Sequence, residues 1–279
     1  MGEVLPFAPP ALAPRDPRFA PPVVEMCQLA SVWTGTLPPG EWEAEEKVDG
    51  IRAIWTGGKL WTREGVPLDL PHVTAELVRL ERRIGQPMAI DGEYQEPGGF
   101  LDTLAVLGSR GRREPRGKLH VFDALPLDEW QAGEGSEAQR MRRHWIARAW
   151  DGFAPAHLVR VTAAPVGSAA EIDRAAAAVW ERGGEGLMLK DAGATYARAR
   201  SRAWLKVKRE LSLTGEVVEI LSRAARVAIG ARVVRVAATE AQGSTLAVGM
   251  SVDVTAMEWT ERGQLRHARI VGMRGDGHG

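Results

Sequence analysis

The feature that most constrains this chain is the run Lys47-Val48-Asp49-Gly50-Ile51-Arg52, which sets a lysine, an aspartate, a glycine and an arginine at fixed spacings. Four prescribed residues should occur this way by chance in only about one of 600 such chains. A lysine amine attacks phosphorus once neighbouring cations or burial lower its pKa, and a guanidinium fork suits phosphate. We therefore predict phosphorus chemistry at Lys47, at a strand end that brings Asp49 to the same face. The alternative is a surface strand that ends in a charged turn.

Four further pieces follow this motif in order, and each adjoins a strand-like run. Asp91-Gly92-Glu93 predicts a strand that delivers Glu93 to its end, and Phe122-Asp123 is predicted to close another strand. Glu185-Gly186-Leu187-Met188-Leu189-Lys190 predicts a strand that follows a helix. Trp204-Leu205-Lys206-Val207-Lys208 predicts a strand with both lysines on one face. Each piece alone is common, but five pieces in this order, including the first motif, are not plausibly a coincidence.

Together these pieces resemble the covalent nucleotidyltransferases, and within them the small ATP-dependent DNA ligases. The resemblance is specific over residues 27–208 and continues more faintly to Arg274. It implies three steps: adenylation of a lysine by ATP, transfer of AMP to the 5'-phosphate at a nick in duplex DNA, and attack by the 3'-hydroxyl with release of AMP. It also implies that Lys47 is the adenylated nucleophile, with Asp49 and Arg52 in the same catalytic motif.

The resemblance implies binding roles for the other pieces as well. Phe122 and Met188 would form the two faces of the adenine slot, and Glu45 would contact the adenine amino group. Lys206 and Lys208 would hold the α-phosphate. The nucleotide is thus expected to be held by lysines and an aromatic slot, in keeping with the lack of a Gly-x-x-x-x-Gly-Lys phosphate loop in the sequence.

Glu93 and Glu185 are implied to bind the ribose and to position a divalent metal. Mg²⁺ is the expected ion, with Mn²⁺ as a substitute, because a hard cation is served by one or two carboxylates and several waters. Zinc is disfavoured, since one cysteine and six scattered histidines form no ligand cluster in the sequence.

Three arginines are implied to contact phosphates. Arg52 and Arg63 would grip the 5'-phosphate of the nick, although Thr62 stands where the family usually has serine. Arg274, in Arg274-Gly275-Asp276, resembles an element that orients the departing pyrophosphate. The lysine that often follows this element is Gly277 here, and a solvated tail is the alternative.

The formal net charge is zero, so contact with DNA must depend on the distribution of charge. Two basic stretches are candidates for a surface that follows phosphates, and solvated faces are the alternative. They comprise Arg110, Arg112, Arg113, Arg116 and Lys118, and then Arg140, Arg142, Arg143, His144 and Arg148. Nicked double-stranded DNA is the expected partner of a monomer, and protein partners are left open.

The pattern along the chain predicts an α+β fold, and the resemblance implies a nucleotidyltransferase (ATP-grasp-like ligase) catalytic domain followed by a small all-β OB-fold domain. The predicted parts are a proline-rich extended arm at 1–22, the adenylation domain at 23–209, the OB-fold domain at 210–274 and a tail at 275–279. Helices are predicted over 73–84, ending at Gly85, and after a Ser168–Glu171 capping box. Short strands are predicted over 214–221, 231–237, 251–258 and 265–273. A simple β appendage is the alternative for the second domain.

The proline-rich start predicts neither a secretory leader nor a membrane span, and the lone Cys27 suits a reducing compartment. We therefore expect a cytoplasmic enzyme. RNA ligases and capping-type guanylyltransferases use the same lysine chemistry and remain alternatives for the substrate. A non-catalytic nucleic-acid-binding module is disfavoured, because such a module is expected to lose Lys47, Glu93, Glu185 or Lys206, and all four are present.

Overall fold

The computed structural model describes residues 26–109, 111–260 and 263–274. The predicted proline-rich arm at 1–22, the predicted tail at 275–279 and Arg110 lie outside the described residues. The chain divides into two compact units, one that ends at Val207 and one that begins at Lys208.

The first unit combines two sheets with helices. Its strands are β1 (Leu29–Val32), β2 (Trp42–Glu46), β3 (Ile51–Thr56), β4 (Lys59–Thr62), β5 (Pro67–Leu68), β6 (Met88–Gln95), β7 (Lys118–Pro126), β8 (Leu158–Arg160), β9 (Ala163–Val166), β10 (Gly186–Asp191) and β11 (Arg200–Lys208). Its helices are α1 (Pro71–Ile84), α2 (Phe100–Leu107), α3 (Leu127–Ala132), α4 (Gln139–Trp150) and α5 (Ala169–Glu181). The predicted α+β class is confirmed.

One sheet has the strand order β5-β4-β3-β6-β7-β8, and the other has the order β1-β11-β10-β2-β9. Alternation along the strands of the first sheet supplies two apolar layers. Trp55 and Ile90 face a core shared with α1 and α4. Ile54 and Ala89 face the opposite way, toward Trp204 of the second sheet. The second apolar layer therefore lies between the two sheets, and the motif residues Phe122 and Met188 pack against it.

Both predicted helices are present, but the predicted Ser168–Glu171 capping box forms only in part. The first, α1, begins at Pro71 and ends before Gly85, whose φ of 92° is left-handed and suits glycine. In the second, α5, the Ser168 side chain accepts from the Glu171 amide. The Glu171 carboxylate accepts from the Gly167 amide, one residue earlier than in a standard capping box.

The second unit is a closed β barrel with the strand order β12-β13-β14-β18-β15. Its elements are β12 (Leu211–Leu221), β13 (Ala224–Ile229), β14 (Arg232–Ala237), α6 (Glu240–Gly243), β15 (Ser251–Ala256), β16 (Glu258–Trp259), β17 (Leu265–Arg266) and β18 (Arg269–Arg274). Inward-facing valines and Ile270 fill it. The predicted barrel is confirmed, whereas β13 was missed because its small residues give a weak strand pattern.

Three local expectations are wrong. Lys47 does not end a strand, because β2 stops at Glu46. Glu93 lies inside β6, which continues to Gln95. Phe122 and Asp123 lie within β7 rather than at its end, because that strand runs on to Pro126. Glu185 immediately precedes β10, as predicted. Continued pairing of β6 with β7 explains the longer strands, and no local sequence signal shows how far such pairing extends.

A buried ion pair fixes α4 on β7. Arg142 and Asp123 are both fully buried, and the guanidinium donates to both carboxylate oxygens at 2.8 and 3.0 Å. Burial alone would raise the pKa of Asp123, but Arg142 beside it holds that pKa below its ordinary value. Arg142 therefore does not face DNA, and for this residue the expected phosphate-following surface is wrong.

Among the residues that the structure describes, no helix is both long and apolar enough to cross a membrane.

Substitution Arg142→Met should lower the free energy of unfolding by about 3–5 kcal/mol, because it leaves the Asp123 carboxylate buried without its cation. The measurement is urea unfolding at pH 7. Arg148→Met is the matched control, since Arg148 is exposed on the same helix and its loss should cost less than about 0.5 kcal/mol. Equal effects of the two substitutions would contradict a structural role for the buried pair.

Candidate active site

Lys47 lies in the loop between β2 and β3, and hydrogen bonds hold both its backbone and the end of its side chain. Its amide donates to the Gly186 carbonyl at 2.9 Å. Its Nζ donates to Glu185 Oε2 at 2.5 Å, and the Glu185 side chain is almost fully buried. The Trp180 indole N–H donates to the Glu185 carbonyl, which ties the end of α5 to the start of β10. The predicted nucleophile and one of the two predicted metal carboxylates are thus in contact.

Gly50 explains why the motif requires glycine at this position. A Cβ added there would lie 2.2 Å from the Tyr94 carbonyl oxygen and 3.1 Å from Glu93 Cγ. The backbone of the motif therefore packs directly on β6, which no larger residue permits. This close approach brings Glu93 next to the Lys47 loop. The carbonyl of Asp49 accepts from the Gln95 side chain at 2.9 Å, on the same strand.

Glu93 is a half-buried carboxyl in a highly charged neighbourhood. Burial raises its pKa to about 7, with Lys47 and Arg52 acting in the opposite direction and Glu185 and Asp91 adding to the rise. The shift therefore reports that these charged groups share one region. A carboxyl with a pKa near neutrality is typical of a functional site.

Arg52 is held by Asp91 in a two-pronged ion pair, with both N···O distances at 2.6 Å. The Tyr196 hydroxyl donates to the same carboxylate at 2.6 Å. The guanidinium carbon lies 4.7 Å from the Phe122 ring centroid and 5.4 Å from that of Trp204. Arg52 is therefore fixed against the aromatic part of the site. Its other predicted contact, with a nick phosphate, stays a prediction.

The two residues predicted to face adenine lie on different sheets. Phe122 is on β7 and Met188 is on β10, and both contact the apolar layer between the sheets. Met188 pairs directly with Glu45 across the β10–β2 ladder, so the two side chains share a face. The structure thus brings the three residues predicted for the adenine slot to one region.

Glu45 is buried and binds two cations that the sequence did not place next to it, and one of them, Arg143, was instead predicted to follow phosphates. Lys190 Nζ lies 2.7 Å from Oε1, and Arg143 Nη2 lies 2.9 Å from Oε2. Lys190 also lies 4.5 Å from the Phe122 ring centroid and 4.2 Å from that of Trp204. Lys190 was detectable, because it follows Met188 by two residues on the same strand face. Arg143 was not, since its contact depends on how α4 packs.

Lys206 and Lys208 share one face of β11 and are half-buried, as the alternation predicts. Arg63 follows β4 and is exposed, with its guanidinium 2.8 Å from Glu64. In the second unit, Arg274 ends β18 and pairs with Asp253 at 2.8 Å. Asp276, its proposed companion, lies outside the described residues.

Glu93 and Glu185 fit a hard divalent cation in chemical type. Both are carboxylates beside Lys47, and Mg²⁺ is commonly held by one or two carboxylates together with substrate phosphates and water. Across the described ranges, no cluster of three or more His, Cys, Asp or Glu side chains is arranged to hold a metal by itself. The donor set therefore suits a metal that arrives with a phosphate ligand.

A match to a family model identifies the family. The model of the ATP-dependent DNA ligase domain matches residues 21–208. A DNA ligase of Haemophilus influenzae is 28% identical over 169 residues, which are 60% of this chain and 58% of that protein. This chain thus spans less than two thirds of the length of that relative.

Solved structures show the same fold at lower identity. A Lig E DNA ligase structure, described as DNA binding with a minimal scaffold, has a TM-score of 0.70 and 22% identity, covering 89% of this chain and 98% of that one. The ATP-dependent DNA ligase of bacteriophage T7, in complex with ATP, has a TM-score of 0.56 and 18% identity over the same shares. The predicted nucleotidyltransferase domain with an OB-fold barrel is thereby confirmed. With more than half of its length matched by the family model, this chain belongs to the ATP-dependent DNA ligase family.

Proposed function

We propose that this protein uses ATP to seal nicks in duplex DNA through a covalent lysyl-AMP intermediate. The observation that carries this proposal is the arrangement at Lys47. Its amine contacts Glu185 and interacts electrostatically with half-buried Glu93, and its strand neighbours lie in a region that also contains Phe122 and Met188. Family membership supports the same reaction.

The first step forms a bond between Lys47 Nζ and the α-phosphorus of ATP, breaks the bond from that phosphorus to the bridging oxygen, and releases pyrophosphate. Lys47 must lose a proton before it attacks, because only the neutral amine has a free electron pair. The Glu185 carboxylate, at 2.5 Å, holds the amine in place until ATP binds. Lys206 and Lys208 are proposed to neutralise the α-phosphate, since charge neutralisation makes phosphorus electrophilic.

Glu93 and Glu185 are proposed to hold Mg²⁺, or Mn²⁺ in its place, and Glu93 also to contact the ribose. When bound, the metal would neutralise negative charge on the phosphates. The two carboxylates offer only a few ligands, so the ion would retain waters and phosphate oxygens.

Nicked double-stranded DNA is the proposed substrate of the later steps. AMP moves from Lys47 to the 5'-phosphate of the nick, and the 3'-hydroxyl then displaces AMP to form the phosphodiester. Exposed Arg63 is proposed to bind the 5'-phosphate directly. Arg52 is proposed to contribute from a position fixed by Asp91. The protein is proposed to act as a monomer in the cytoplasm.

Substitution Lys47→Ala should abolish covalent labelling by α-labelled ATP with magnesium, because the nucleophile is missing. Lys47→Arg should also fail, because a guanidinium does not deprotonate usefully. The label on the wild-type protein should be acid-labile, as a phosphoramidate is, and should transfer to nicked DNA.

Far-UV circular dichroism shows whether the variants are folded. Persistent labelling of folded Lys47→Ala would place the nucleophile elsewhere. Offering nicked RNA and α-labelled GTP to the wild-type protein tests the RNA ligase and guanylyltransferase alternatives. Preference for either would overturn the proposed substrate.

Substitution Glu93→Gln should stabilise the ligand-free protein at alkaline pH while impairing lysine adenylation. The carboxyl has a pKa of about 7 in the folded protein and an ordinary value of 4.5, so its ionised form opposes folding. The gain in the free energy of unfolding should be full above pH 7, shrink between pH 7 and 4.5, and vanish below 4.5.

Urea unfolding at pH 4, 6 and 8 measures this gain. The control is Glu64→Gln, which makes the same change of side chain at an exposed position. A gain that is equal at all three pH values would exclude Glu93 titration as its cause.

Substitution Arg274→Ala should slow adenylation of Lys47 far more than sealing of a pre-adenylated nick, because a pyrophosphate-orienting guanidinium serves only the first step. Arg269→Ala is a matched control, since both arginines are exposed on β18 and each has one acidic partner. Equal losses in both steps would assign Arg274 to folding or DNA binding.

A further inference from the structure

Arg143 on α4 joins two carboxylates of β2. Its Nε lies 2.9 Å from Glu43 Oε2, and its Nη2 lies 2.9 Å from Glu45 Oε2. The other oxygen of Glu45 lies 2.7 Å from Lys190 Nζ. Each oxygen of Glu45 is therefore bound by a different cation, which fixes both the position and the plane of the carboxylate.

Glu45 lies at the edge of the proposed adenine slot. It is the direct cross-strand neighbour of Met188, and Lys190 connects it to the Phe122 ring at 4.5 Å. Lys190 also donates to the Phe122 carbonyl at 3.2 Å, so the cation that holds Glu45 is itself attached to β7. Glu45 is thus connected to both faces of the proposed slot. Strand pairing connects it to Met188, and Lys190 connects it to Phe122.

We propose that Arg143, acting with Lys190, fixes Glu45 as a hydrogen-bond acceptor toward the nucleobase and so determines selection of adenine over guanine. This inference rests on the proposed function and adds a positioning residue on a helix outside the sequence motifs. An ionised carboxylate only accepts hydrogen bonds. It attracts the amino group at position 6 of adenine and repels the carbonyl oxygen that guanine carries there.

Arg143 is a better test position than Lys190. Lys190 is 1% exposed, and its removal would leave Glu45 and nearby Asp123 with less compensation in the interior. Arg143 retains 16% exposure and reaches Glu45 from the helix side. Arg140 is an exposed arginine on the same helix and offers a matched control.

The experiment compares Lys47 labelling from α-labelled ATP, GTP and purine riboside triphosphate, which lacks the amino group. In the wild-type protein, loss of the amino group should lower kcat/KM by about 10- to 100-fold, because a buried acceptor is left unpaired. In Arg143→Leu this loss in kcat/KM should be roughly 10-fold smaller, since a mobile carboxylate no longer makes a well-oriented hydrogen bond with the amino group. The preference for ATP over GTP should fall in parallel.

Arg143→Lys should restore part of the preference, and Arg140→Leu should leave it unchanged. If Arg143→Leu does not fold, Arg143→Gln, which also removes the charge, replaces it in the same comparison. A role confined to packing of α4 would lower labelling by ATP and by purine riboside triphosphate equally, which would overturn the proposal. Absence of labelling in the wild-type protein would instead refute the proposed function.

Discussion

Pairing of buried charge is the constraint on which the first unit depends. A carboxylate or cation between two sheets is stable only when a partner compensates for its lost hydration. Asp91 with Arg52, Asp123 with Arg142 and Glu45 with Lys190 satisfy this requirement. Arg52 and Glu45 belong to the candidate active site, where Asp91 and Lys190 contact them. The ion pairs that stabilise these buried charges therefore also hold the proposed catalytic and binding groups in fixed positions.

Glu93 is the exception that indicates where the chemistry occurs. Its pKa of about 7 shows that nearby Lys47 and Arg52 do not fully compensate for its burial. Incomplete compensation destabilises the protein without ligands but leaves a carboxylate ready to bind a cation. Stability and activity thus make opposite demands on this residue, as is common in active sites.

The motifs and the plan of an α+β domain followed by a barrel are predictable from the sequence because these depend on local patterns. The six residues from Lys47 to Arg52, the glycine at the end of α1 and the alternation of β11 are all visible in short windows. The lengths of β6 and β7 are not visible in short windows of sequence, because pairing between the two strands extends them. The basic run on α4 was misjudged for a related reason. Whether Arg142 and Arg143 face solvent or buried carboxylates depends on the rotation of α4 against β7 and β2, and a run of arginines gives no signal of it.

Cys27 lies fully buried in the apolar layer between the sheets, and burial raises the pKa of its thiol to about 12. At neutral pH this thiol is protonated and shielded, and maleimide reagents need an accessible thiolate. The only cysteine in the sequence should therefore not react with maleimide dyes. A single cysteine introduced at an exposed position of either unit could carry a fluorophore without prior removal of the native one, so movements during the reaction cycle can be followed in otherwise unaltered protein.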